Sequence, residues 1–221
     1  FNLKNSGKTP IVEQHMELRR LMGVFGQFEG SWKNMLYLTV TARNDWSSTL
    51  PKENRSFFYP GITGSFIFSE LLNDNLQDVI TFGKIRASWG KTGNSEGVGP
   101  YQSLQLYGQT SAYYDGGINN FLPGYAITQN TNPNLKWEVV SQTNLGLDFQ
   151  FVNGRFSGSI DLFNKETSDM LYRYSVPADG VKYFTNSIYA NVGTMSNKGV
   201  ELSLGGDIVD SDDFVWNSRV I

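Results

Sequence analysis

Cysteine is absent from this 221-residue chain, and His15 is its only histidine. The first absence removes disulfides, thiol nucleophiles and cysteine metal sites. His15 lies in a polar N-terminal segment with no ligand pattern around it and reads as a solvated loop residue rather than a metal ligand or base. The many serines have neither a histidine partner nor a Gly-x-Ser-x-Gly elbow. Asp207, Asp210, Asp212 and Asp213 lack the spacing of an EF-hand loop, and Gly93-Asn94-Ser95-Glu96-Gly97 follows a strand but precedes no helix that could cradle a phosphate. No cofactor or metal is expected, and the chain reads as a non-enzyme. With a formal net charge of −3 and no basic run, it carries no footprint for nucleic acid. No apolar run approaches the roughly 20 residues of a spanning helix; the charge-free stretch Gly116 to Leu135 is full of Asn, Gly and Pro.

What is present is alternation. From Lys136 to Phe151 the even positions are Lys136, Glu138, Val140, Gln142, Asn144, Gly146, Asp148 and Gln150, and the odd ones are Trp137, Val139, Ser141, Thr143, Leu145, Leu147, Phe149 and Phe151. Period two means a β-strand with one wet and one greasy face. The run is far longer than the usual strand of about five or six residues.

Further strands are predicted at Leu21 to Gly30, Met35 to Arg43, Tyr59 to Ser69, Thr81 to Gly90, from Arg155 onward, around Val200 to Gly205, and from Phe214. Asn153-Gly154 between two alternating runs predicts a two-residue type I′ hairpin. The connections alternate between short (31–34, 153–154, 210–213) and long (44–56, 91–135, 177–189), with an intermediate one at 70–79. Up-and-down transmembrane barrels alternate in this way, with short turns on the periplasmic side and long loops outside.

The fold expected is therefore all-β: an antiparallel up-and-down transmembrane β-barrel, present here as about eight strands. Backbone groups in a bilayer must pair internally, so strands that span it close into a barrel. The apolar rows then touch outer-membrane lipid, and Lys84, Arg86, Glu138, Gln142, Asp148, Asp161 and Glu201 face the lumen. Trp32, Trp89, Trp137, Tyr172, Tyr174 and Trp216 are expected in aromatic girdles at the lipid headgroups. The competing reading is a soluble antiparallel sandwich, carbohydrate-binding or adhesin-like, with the same rows as its core. Tyr101, Tyr107, Tyr113, Tyr114, Phe121 and Tyr125 crowd the longest connection, where aromatic faces beside Asn and Gln suit stacking on sugar rings or peptide segments. Packing of the loop on itself or on a partner is the alternative.

Four blocks carry a family resemblance: Asn132-Pro133-Asn134-Leu135-Lys136-Trp137-Glu138; Asn144-Leu145-Gly146-Leu147-Asp148-Phe149; Asp161-Leu162-Phe163-Asn164-Lys165-Glu166-Thr167-Ser168-Asp169-Met170-Leu171; and Asn191-Val192-Gly193-Thr194-Met195-Ser196-Asn197-Lys198-Gly199-Val200-Glu201-Leu202. In order and spacing they resemble the barrel of the SusC/RagA family of TonB-linked outer-membrane transporters of Bacteroidetes. Lys84 to Asn94 and Arg43 to Ser48 are similar to two further family blocks. Trp46 stands where the family usually has Gly after Asp, and Phe58-Tyr59-Pro60-Gly61 replaces its Phe-Pro-Ser.

The resemblance implies that residues 1–221 are part of a 22-strand plugged barrel, with plug, TonB box and remaining strands outside this sequence; both ends read as cut. It also implies multi-pass residence in the bacterial outer membrane, a SusD-like surface lipoprotein as partner, energy from the TonB complex, and an oligosaccharide or peptide as the nutrient. A passive porin is the third alternative.

Overall fold

The computed structural model describes residues 16–114, 121–211 and 213–221, with side chains for all of these but 74, 75, 110–114 and 121–123. Twelve strands follow one another: β1 (Leu21–Trp32), β2 (Leu36–Ser47), β3 (Ser56–Ile67), β4 (Ile80–Asn94), β5 (Leu106–Tyr114), β6 (Phe121–Gln129), β7 (Glu138–Phe151), β8 (Phe156–Ser168), β9 (Leu171–Ser175), β10 (Ser187–Asn191), β11 (Thr194–Ser211) and β12 (Phe214–Val220). Eight of them form one sheet in the order β1-β2-β3-β4-β7-β8-β11-β12, every neighbour antiparallel. The other four make two separate hairpins, β5–β6 and β9–β10. No described helix is long and apolar enough to cross a membrane, which says nothing of strands.

Register sorts side chains onto two faces. Leu145 lies opposite Ala87 and Leu162, Leu162 opposite Val200, and Leu147 opposite Ile85 and Ile160, which makes one continuous apolar surface. This surface is not a core. Leu145 keeps 49 % of its area exposed and Leu202 47 %, and Leu36, Ile62, Ile85, Leu162 and Leu204 are likewise open. A sandwich would bury these rows against a second layer; here they are left for another solvent.

Turns close the sheet at one end. The ladder ends at Phe151 and Phe156, so the turn is a four-residue loop rather than the expected two-residue one. Val152 (φ 53°), Asn153 (φ 52°) and Gly154 (φ 83°) all take positive φ, and Arg155 N–H donates to the Val152 carbonyl at 3.1 Å around a type I′-like centre at Asn153-Gly154. Lys33 and Asn34 turn β1 into β2, also at positive φ. Beside the Asn153-Gly154 turn, β11 bulges between Asp207 and Val209. Arg155 covers the bulge, donating from Nε to the Asp207 carbonyl (2.9 Å) and from Nη2 to that of Ile208 (3.1 Å).

At the opposite end lie 48–55, 95–114, 121–137 and 169–193, and there the described residues bury their apolar core: Leu50, Val98, Leu135 and Trp137, with Phe57, Leu171 and Tyr189 against them. Trp137 therefore departs from its expected place in a lipid-facing girdle. It is 3 % exposed, and its indole N–H donates to the carbonyls of Asn54 (3.1 Å) and Arg55 (3.3 Å). The alternation of β7 runs on through Lys136 and Trp137, but pairing with β4 and β8 begins only at Glu138 and Val139. Tyr172 and Tyr174 also leave the girdle, since they belong to the β9–β10 hairpin. The long connection expected at 91–135 is partly structured as β5–β6, and the loop expected at 177–189 is flanked by β9 and runs into β10, a hairpin the sequence did not mark.

β3 and β4 share a ladder only over part of their length. Gly61 to Ile67 pairs with Gly90 to Lys84, and above Gly61 and Gly90 the two strands separate. Pro60 sits at the point of separation, where its missing N–H costs no bond to β4. The rings of Phe57 and Tyr59 close the gap against Gly93, and Trp137 meets Tyr59 edge-on at 6.4 Å.

Candidate functional site

The polar face of the sheet carries an ionic ladder across β4, β7 and β8. Arg86 on β4 grips Asp148 on β7 with two hydrogen bonds of 2.8 Å, and Lys84 Nζ lies 3.6 Å from the same carboxylate. Arg86 also reaches past β7 to Asp161 on β8, with Nη2 2.9 Å from Oδ1. Strands are spaced about 4.8 Å apart, so this side chain must lie flat over the intervening strand. Gly146 makes that possible. It stands directly opposite both Arg86 and Asp161, and a Cβ there would come within 2.7 Å of Arg86 Cζ and of Asp161 Oδ1.

Glu201 faces Asp161 across the β8–β11 ladder and has no ion-pair partner among the described residues. Gln142, on the same face, donates to Asn144 at 3.1 Å. Glu138 shares the parity of this face, but its carboxylate is engaged at the loop end, accepting from Leu171 N–H (2.7 Å) and Asn94 Nδ2 (3.1 Å). Charge-assisted bonds of this length fix orientation; Glu138 ties β9 and β4 together at the loop end.

Toward the loops, the same face encloses a trough of about 770 Å³ running from β1 to β7. On its wall Tyr59 donates to Asp45 Oδ2 (3.0 Å) while Arg43 Nε donates to Oδ1 (2.7 Å), leaving Asp45 5 % exposed. This triad was not singled out from the sequence. Its signal is odd parity in neighbouring strands, where Arg43 pairs with Tyr59 and Asp45 with Phe57.

Of the aromatic residues expected to contact substrate or partner, Tyr107 and Tyr125 share a face of the β5–β6 hairpin, because Tyr107 pairs with Ile127 and Gln109 with Tyr125. Both are more than 60 % exposed. Tyr101 stands apart before β5, at φ 64°, and its carbonyl accepts from Gln129. The side chains of Tyr113, Tyr114 and Phe121 lie outside the described residues, as does His15. No group of acids and histidines that could hold a metal ion occurs among the described residues.

An open sheet with a charged face, an unburied apolar face, short turns at one end and structured loops at the other is a barrel wall. Residues 8–221 match the family described as TonB dependent receptor-like, beta-barrel. The chain belongs to this family. It is 31 % identical to TonB-dependent receptor P26 of Formosa agariphila over the whole chain and 22 % of that protein, and 31 % identical to TonB-dependent receptor SusC of Bacteroides thetaiotaomicron over 89 % of the chain and 19 % of that protein. The RagAB peptide importer in its open-open state superposes with a TM-score of 0.76 at 29 % identity, covering 91 % of this chain and 22 % of that one. The siderophore receptor PirA of Pseudomonas aeruginosa, at 16 % identity and a TM-score of 0.56, shares the fold.

This is a SusC/RagA-type outer-membrane barrel segment spanning about a fifth of its curated relatives, and its family is one of receptors and transporters rather than enzymes. The sandwich expectation gives way to it.

Proposed function

We propose that this chain forms part of the wall, lumen lining and outer mouth of a TonB-energised importer that carries an oligosaccharide or peptide across the outer membrane, together with a SusD-like surface lipoprotein. In this reading the whole receptor adds a plug, a TonB box and further strands to residues 1–221. The observation that carries it is the back-to-back arrangement at mid-sheet: Arg86, Asp148 and Asp161 form an ion network on one face, while Ile85 and Ile160 on the other remain open. Such a wall separates water from hydrocarbon.

The peptide alternative draws on the RagAB peptide importer and the glycan alternative on the family resemblance. The loop core joins three connections into one cap, and Tyr107 and Tyr125 offer exposed rings on the β5–β6 hairpin. The lumen residues Lys84, Arg86, Gln142, Asp148, Asp161 and Glu201 would meet the plug or the passing nutrient, and Glu138 would hold the rim in shape.

The test is uptake of labelled peptides and oligosaccharides by cells that carry the full-length protein, with and without a protonophore. Uptake is expected to stop when the proton gradient collapses, and a surface lipoprotein is expected to copurify. Uptake that continues unchanged would make the protein a passive pore.

A further inference from the structure

A small cleft at the loop end lies apart from the ionic ladder and shares only Tyr189 with the packing around the buried core. It measures about 200 Å³ and is lined by Gln102, Thr128, Gln129, Arg173, Ser187 and Tyr189, with no acidic residue in its walls.

The walls are fixed. Asn130, 5 % exposed, donates from Nδ2 to the carbonyls of Thr185 and Ser187 (both 2.9 Å) and accepts at Oδ1 from the N–H groups of Phe184 (2.8 Å) and Thr185 (3.2 Å). Gln129 Nε2 donates to the carbonyls of Tyr101 (2.9 Å) and Leu104 (2.8 Å). The Asn130 bonds join the end of β6 to the β9–β10 hairpin and the Gln129 bonds join it to the turn before β5, so the cleft exists before any ligand arrives.

Arg173 supplies the chemistry. Its Nε donates to Ser187 Oγ at 3.0 Å, and its guanidinium carbon lies 5.9 Å from the centre of the Tyr189 ring. Among the described residues no carboxylate pairs with it, and its two Nη groups, on an exposed side chain, meet no protein acceptor there and face solvent. Gln102 spends its Oε1 on the Gly99 N–H (2.9 Å), which leaves its amide nitrogen as the group free to donate. A rigid cleft with a held guanidinium, a free amide N–H and no compensating acid suits a planar anion bound two-pronged. Its volume falls below the roughly 300–1,000 Å³ of pockets that take a whole drug-sized molecule, so it accommodates one end of a chain.

We propose that this cleft binds a carboxylate of the incoming nutrient at the outer mouth, with Arg173 as the anchoring residue. The proposal rests on the importer reading and narrows its substrate to chains that bear a carboxylate, either at a peptide C-terminus or on an acidic sugar.

The experiment is equilibrium calorimetry on the full-length transporter complex in detergent, in a buffer free of carboxylates. Two matched pairs serve as probes: an N-acetylated tetrapeptide with a free or amidated C-terminus, and a tetrasaccharide of galacturonic acid or of galactose. In one pair the carboxylate form is expected to bind about ten-fold tighter than its neutral match, and that pair identifies the source. R173Q should abolish the discrimination, and R173K should keep part of it with an unaltered protease-digestion pattern of the loops. Equal affinity within both pairs, or discrimination that survives R173Q, would overturn the proposal. Equilibrium binding requires no energy, so protonophore-resistant uptake would sink the importer reading while leaving this result standing.

Discussion

Arg86 and Asp161 are paired at 2.9 Å although their strands are not neighbours; β7 runs between them, and only the bare backbone of Gly146 lets the guanidinium through. Gly146→Ala is expected to lift Arg86 away from Asp161 and to destabilise the wall by about 1–3 kcal/mol, the usual range for a forced methyl in a packed site. Asp161→Asn removes the charge from the same contact. The two substitutions together should cost less than their sum, measured as a double-mutant cycle on the thermal unfolding of the full-length protein.

The two faces of β11 should respond oppositely to charge. Leu202→Arg places a cation in hydrocarbon and is expected to cost about 2–4 kcal/mol if that level lies near the midplane. Ser203→Arg, one residue on and facing Ser159 across the ladder, points to the polar side and should cost far less. Reversible urea unfolding in lipid vesicles measures both, and equal costs would remove the assignment of faces.

Trp137 is the keystone of the loop cap. Trp137→Ala is expected to cost about 3–5 kcal/mol of local stability, as for other buried aromatic truncations, and to open 48–55 to external protease. Trp137→Phe keeps a ring against Phe57, 6.0 Å away, but loses the donor that serves Asn54 and Arg55. Its protease sensitivity should fall between that of the wild type and the alanine variant.

Asp179 ties the loop between β9 and β10, accepting from the backbone N–H groups of Tyr183 (2.9 Å), Val181 (2.9 Å) and Lys182 (2.8 Å). Those bonds hold its carboxyl below the usual range, Tyr183 contributing most. Because the folded value is depressed, the stabilisation is complete above the unfolded carboxylate value of about 3.9. It is lost as pH falls through the lower folded value. Amide exchange at 181–183 should stay slow at mildly acidic pH and quicken in strong acid, and Asp179→Asn should flatten that dependence.

The sheet was legible in the sequence because each strand writes its two faces as odd and even positions, and because Asn153-Gly154 marks a turn whose backbone signs few other residues accept. Other features were hidden for a physical reason. Trp137 continues the parity of β7 without joining its ladder, and what buries it comes from Leu50 and Val98, far away in sequence. The β9–β10 hairpin has strands of five residues each, too short for a periodic signal. The bond from Arg86 to Asp161 exists only once the registers of three strands are set, and no single stretch of sequence contains it. Arg173 looks like any exposed arginine until Asn130 draws the end of β6 to its hairpin.

The parting of β3 from β4 above Gly61 and Gly90 makes the wall unequal along its height. Below that height, spreading the staves means breaking amide-to-carbonyl links one after another. Above it the seam is filled instead by the tilted and edge-on rings of Phe57, Tyr59 and Trp137, with the Trp137 indole pinned to Asn54 and Arg55. Prying the collar apart therefore costs ring contacts and two side-chain bonds while the waist of the sheet stays laced.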